Sequence, residues 1–307
     1  MVFELEPPPR ATDIALTPEL LTAAAKAVRI CLGHVGPVLA RGLAGAGLDA
    51  DRLAIKASAN NRSKIKRGRL CLHELAVDAA ELAAASAVDH LYAFAADLTR
   101  EPLPVLSHLT PVRAALEAGG LFGHLADRTD DVSLRLARIA GMWLVDCDSA
   151  RKLATSHNST TMIADAQATE SSLHRMLDDA GVTWRRNGQG KPINVALDGQ
   201  VVPRADIGVA AGTRKFLGPA AGAFDPYNSL SGGAHTRPWM HGGNRGTGAG
   251  SVLTAVWVAR EVLARFLVLW GTYAGQDVGT ESAKVRQALT GVLNRAAAGD
   301  FASSARA

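Results

Sequence analysis

Aromatic residues are scarce, with Phe, Tyr and Trp together making up 5% of the 307 residues. Only three cysteines occur, Cys31, Cys71 and Cys147, too few and too scattered for a disulfide framework or a cysteine-based zinc site. Neither sign of charge dominates: 33 basic and 29 acidic side chains leave a formal charge of +4, far from a histone-like tail. No basic-then-apolar leader opens the chain, and no run of about 20 mostly apolar residues is free of charge, so a cytoplasmic protein without a membrane span is expected. Several motifs are missing as well. There is no Gly-x-Ser-x-Gly elbow. The glycine-rich string Gly242–Gly250 lacks the Lys-Ser/Thr ending of a phosphate-binding loop. His124 with Asp127, and Asp146 with Asp148, lack the spacing of a helical zinc or di-iron site, so neither a metal nor any other cofactor is expected.

What is present is a core-forming composition, 48% hydrophobic and 20% charged, which excludes a disordered or collagen-like chain. The patterns are overwhelmingly helical. Pro7-Pro8-Pro9 marks residues 1–17 as an extended tail. Thr17-Pro18-Glu19 combines a capping hydroxyl, a first-turn proline and an acid at the positive end of the helix dipole, so a helix begins at Pro18; Gly33, Gly36 and Pro37 weaken or end it. From Leu70 to Thr99 there is no Gly or Pro, and a long helix is expected. Further helices are expected from Thr110, interrupted at Gly119-Gly120, after Asp130-Asp131, and from Thr161 to a glycine cap at Gly181.

Asn187-Gly188 and Asp198-Gly199 turn signals lie among apolar residues between Val182 and Val202, which predicts a small hairpin. After it come helices near Arg204–Leu217, from Asp225-Pro226, and over Val252–Tyr273 and Thr280–Ala298, with Gly242–Gly250 as a loop. The Val252–Tyr273 segment carries Arg260, Glu261 and Arg265, which argues for a buried or subunit-interface helix rather than a membrane span, and a homodimer through 252–273 is one expectation. The architecture read from these patterns is mainly α: a single helical bundle over 18–299 with an irregular or β-hairpin insertion at about 182–203, followed by a tail at 300–307.

Chemistry-bearing residues gather in a few places. In Tyr227-Asn228-Ser229-Leu230-Ser231-Gly232-Gly233-Ala234-His235, helical spacing puts Tyr227, Ser231 and His235 near one face. Arg113 and Glu117, four apart, form an ion pair on an otherwise apolar helix, and Asp89-His90 lies within the longest one. These sets are expected to converge inside the bundle. A basic run, Lys56, Arg62, Lys64, Lys66, Arg67 and Arg69, is either a phosphate-contacting surface or a solvated linker; no aromatic residue is interleaved to stack on bases.

The segments Pro111–Ala118, Leu134–Arg138 and Tyr227–His235 resemble a group of bacterial helical proteins in which an Arg…Leu-Glu helix is followed by an arginine-bearing helix and a Tyr…Leu-Ser…His helix, some of them similar to the HEPN-like superfamily. That resemblance implies an all-helical bundle and, for catalytic members, metal-independent RNA cleavage by an arginine and a histidine. Here the nearest such pair, Arg237 and His241, has Pro238 between its members, which breaks the helix that would present them together.

The leading expectation is therefore a HEPN-like protein with an interhelical polar site of Arg113, Glu117, Tyr227, Ser231 and His235 that binds or processes RNA or another phosphate-bearing ligand. Arg113 supplies fixed charge, His235 carries the proton and Tyr227 orients it. The alternatives are a small-molecule enzyme using an apolar cavity in the bundle, and a non-catalytic interaction protein.

Overall fold

The computed structural model describes residues 16–43, 45–59, 62–101, 108–205, 209–218, 227, 230 and 248–301. Among the described residues there are nine helices: α1 (Pro18–Leu39), α2 (Ala46–Ser58), α3 (Ser63–Asp97), α4 (Leu109–Ala126), α5 (Val132–Ser156), α6 (Thr160–Ala180), α7 (Val209–Leu217), α8 (Gly248–Ala274) and α9 (Gly279–Ala297). Between α6 and α7 stand strands β1 (Thr183–Arg186), β2 (Pro192–Leu197) and β3 (Gln200–Arg204). The mainly helical class with a small β insertion is thus observed.

Local chemistry accounts for most boundaries. Thr17 Oγ1 accepts from the Leu20 amide at 3.2 Å, and Asp131 Oδ1 accepts from Ser133 at 2.7 Å, so α1 and α5 begin on side-chain caps. Gly181, at φ 77°, closes α6 in the left-handed conformation that glycine adopts without strain. Helix α1 does not end at Gly33–Pro37; it runs through Pro37 to Leu39. An interior proline costs about 3 kcal/mol, whereas burying a valine side chain returns about 1.5–3 kcal/mol. Val35 and Val38 are both buried, so the last turn holds.

Gly119-Gly120 likewise does not interrupt α4. The pair makes room for α7: a Cβ at position 119 would lie 2.6 Å from the Phe216 ring, and one at 120 would lie 3.0 Å from the Thr213 amide nitrogen. The predicted hairpin is a three-stranded antiparallel meander in the order β1-β2-β3, because each of the two turn signals folds its own pair of strands. Arg204 closes β3 opposite Ile193, so α7 starts at Val209 rather than near Arg204. The helix expected from Asp225-Pro226 falls largely outside the described residues.

Helix α8 is the centre of the bundle, in contact with α1, α2, α4, α7 and α9. It begins at Gly248, inside the stretch expected to be a loop. Trp257, Val262, Leu263, Leu267 and Trp270 are buried within the single chain, and Phe122 packs against Phe266 and Trp270 at 4.8 and 5.7 Å between ring centroids. Its charged residues are taken up internally: Arg260 bonds the fully buried Glu261 at 2.7 Å, and Arg265 donates to the Phe216 carbonyl at 2.9 Å. Most of 252–273 is covered by the chain's own helices, as the buried alternative predicts. Among the described residues no helix is long and apolar enough to cross a membrane.

Candidate functional site

Three helices leave a trough of about 980 Å³ between them. From α3 it is lined by Leu75, Ala79, Leu82, Ser86 and His90, residues spaced by three or four so that they form one stripe along the helix. From α5 come Ile139, Met142, Trp143 and Asp146, and from α4 come Ala114, Glu117, Ala118 and Leu121, both at the i, i+3, i+4, i+7 spacing of a single helical face. Ala205, at the end of the sheet, and Gly212 of α7 complete it. The walls are mainly apolar, and Leu82 remains 71% exposed at the mouth.

The polar groups of the trough are acidic apart from Ser86 and His90. Glu117 accepts from Arg113 Nε at 2.8 Å, and Arg113 Nη2 donates to the Tyr227 hydroxyl at 3.1 Å. The guanidinium carbon also lies 5.2 Å from the centroid of the Tyr227 ring. Partial burial works against the Arg113 charge, but the bond and proximity to Glu117 outweigh it and raise its pKa above the ordinary value. Asp146, on the opposite wall, has its carboxyl raised by the loss of surrounding water. Asp78 lines the trough from α3.

Of the residues expected to converge, Arg113, Glu117 and Tyr227 do meet, and His90 lines the same trough, while Asp89 faces solvent. Ser231 and His235 lie outside the described residues. The basic run is split between two helices rather than forming a linker. Lys56 sits near the end of α2, while Lys64, Lys66, Arg67 and Arg69 belong to the first turns of α3, with Arg62 as its capping residue. Lys56, Arg62, Lys64, Lys66 and Arg67 are exposed, and Lys64 pairs with Asp179 at 2.8 Å. Arg69 differs from the other five. It is buried and makes a two-pronged pair with Asp198 at 2.7 Å, donating also to Ser58 and to the Ala180 carbonyl. Its guanidinium fastens the β2–β3 turn to the helices, so it is not available to a phosphate.

A second polar centre escaped the sequence reading. Asp51 of α2, His73 of α3, Arg135 of α5 and Tyr273 of α8 are all buried and mutually bonded. Arg135 grips Asp51 through two bonds of 2.7 Å; the Tyr273 hydroxyl donates to Asp51 at 3.0 Å; His73 Nε2 lies 3.3 Å from Asp51 and 3.2 Å from Tyr273. Burial alone would raise the Asp51 carboxyl, but hydrogen bonds from His73, Arg135 and Tyr273, with the arginine's charge, hold it well below the usual carboxylate range. Burial pushes the Tyr273 phenol in the other direction, upward.

The adjoining cavity is about 10 Å³, roughly the space of one water. No substrate enters there. The centre ties four helices together. Its sequence signal was a polar residue standing inside an apolar stripe, as His73 does beside Leu72 and Ala76, and Arg135 beside Leu136.

His124, weighed as a ligand with Asp127, is half-buried, and its pKa is pushed down to about 3 by the loss of surrounding water and then by the charges of Arg138 and Lys215. Asp148, weighed with Asp146, is taken up by Arg186 at 3.0 Å and Arg151 at 3.3 Å. Among the described residues no group of three or more His, Cys, Asp or Glu side chains stands close enough to hold a metal ion. No family model, curated protein or solved structure matches this chain, so the resemblance to HEPN-like proteins rests on its short motifs alone.

Proposed function

We propose that this chain binds a mainly apolar small molecule in the trough between α3, α4 and α5. Glu117, held by Arg113, which also donates to Tyr227, and His90 on the α3 wall are the groups that orient it or exchange a proton with it. The observation that carries this reading is the trough itself: about 980 Å³, within the size range of small-molecule sites, with apolar walls and a few converging polar groups. A phosphate-bearing ligand fits the same place poorly. It would meet Asp78, Glu117 and Asp146, and the cation beside them, Arg113, is already bonded to Glu117.

Thermal-shift measurements against a panel of apolar small molecules and of nucleotides test this reading. Apolar compounds are expected to raise the melting temperature, and Ala118→Trp, which fills the trough, to abolish the rise. Stabilisation by nucleotides alone would overturn it.

A second reading concerns a different surface. The exposed cations Lys56, Arg62, Lys64, Lys66 and Arg67 support weak, sequence-independent contact with RNA or another polyanion. Binding measured at two salt concentrations tests this: affinity should fall steeply with salt, and salt-insensitive or absent binding removes the reading.

A further inference from the structure

The carboxylates of the trough are not equivalent. Glu117 has Arg113, and several carboxylates elsewhere have cations of their own: Asp51 with Arg135, Asp130 with Arg138, Asp148 with Arg186, Asp198 with Arg69, Glu261 with Arg260. Asp78 and Asp146, exposed at the trough on two different helices, have no ion pair among the described residues.

The trough walls are mainly apolar, with Met142 and Trp143 of α5 and Leu75 and Leu82 of α3 half-buried or exposed. Unpaired acids beside uncovered apolar wall complement a ligand with an apolar body and a positive charge. A neutral ligand would gain no charge attraction from the two carboxylates, and an anion would be repelled by them. An amphipathic cation satisfies both features at once.

We propose that the ligand of this trough is a protonated amine with an apolar body, its hydrocarbon or ring system lying along Leu82, Met142 and Trp143 and its ammonium group set between Asp78 and Asp146. This rests on the trough being the binding site, as argued above, and adds the charge of what it takes. Partial desolvation beside the apolar wall strengthens the contact relative to a fully exposed pair. It also makes Trp143 the natural face for a cation–π contact.

The probes are decylamine, 1-decanol and decanoate, three ten-carbon chains differing in head group, each kept below its aggregation concentration. Titration calorimetry with the full chain near neutral pH should show decylammonium binding about tenfold more tightly than decanol, the equivalent of one RT ln 10 step, with decanoate weakest. In the double variant Asp78→Asn, Asp146→Asn the amine should fall to the affinity of the alcohol, while decanol binding and the melting temperature stay unchanged. Equal binding of amine and alcohol, or tighter binding of decanoate, would overturn the amine proposal and leave the apolar site intact. Absence of binding by all three, or binding untouched by Ala118→Trp, would overturn the site and the amine proposal with it.

Discussion

Helices α3 and α5 each build two polar neighbourhoods, and the two could hardly differ more. On one side His73 and Arg135 enter a closed centre with Asp51 and Tyr273, where all four residues are buried and the arginine and aspartate meet through paired 2.7 Å bonds. On the other side Asp78 and Asp146 line an open apolar trough with no ion pair among the described residues. A charge taken out of water is costly unless matched, so the closed centre sets its carboxylate against a guanidinium. A charge left at the mouth of a cavity keeps its water until something replaces it. The difference separates side chains that hold the fold from side chains that stay open to solvent.

Removing one half of the closed centre is the most damaging test of that contrast. Arg135→Leu leaves Asp51 buried without its cation and is expected to cost about 3–5 kcal/mol, read by chemical denaturation. Replacing both partners, Asp51→Leu with Arg135→Met, should recover much of that loss, because the penalty comes from the unmatched charge and not from the absence of the pair. A double variant no more stable than Arg135→Leu would refute that account.

Acid should act on the same centre. Because the Asp51 carboxyl is depressed below its ordinary value of 3.8, it contributes its full stabilisation above the unfolded-state value. That contribution is lost progressively as pH falls below 3.8 toward the lower folded value. The melting temperature of the unaltered protein should drop through this window, and Asp51→Asn, although less stable at neutral pH, should show a shallower drop.

Packing beside the trough should matter less. Gly120→Val pushes against the backbone of α7 at Thr213 and is expected to cost about 1–3 kcal/mol and to alter ligand binding, since Gly120 lines the trough. Asp146→Asn should have the smallest effect on folding, within about 0.5 kcal/mol, while changing the choice of ligand. If Asp146→Asn destabilised the protein as Arg135→Leu does, the distinction between the two neighbourhoods would collapse.

Much of this was readable in the residue order. Thr17-Pro18, Asp131 and Gly181 mark helix ends because the chemistry of a cap is local. Arg113 and Glu117 meet because one helical turn brings them together. Where local rules failed, packing had intervened. Pro37 stays helical because Val35 and Val38 are buried, and Gly119-Gly120 serves a neighbouring helix instead of breaking its own. Arg69 looked like one more cation in a basic run until Asp198, 129 residues away, neutralised it.

The amino-acid order by itself determined that this chain is helical, where most of its helices begin and end, and that one short stretch with two turn signals would form strands. Those outcomes depend on hydrogen bonds and side-chain spacing within a few residues. Only the tertiary structure decided which charges are sealed and which stay exposed at the trough, since Asp51 and Tyr273 are 222 positions apart and Asp78 and Asp146 come from different helices. The energy of a charge is set by the water and counter-charges around it, and those are supplied by whatever the fold brings alongside.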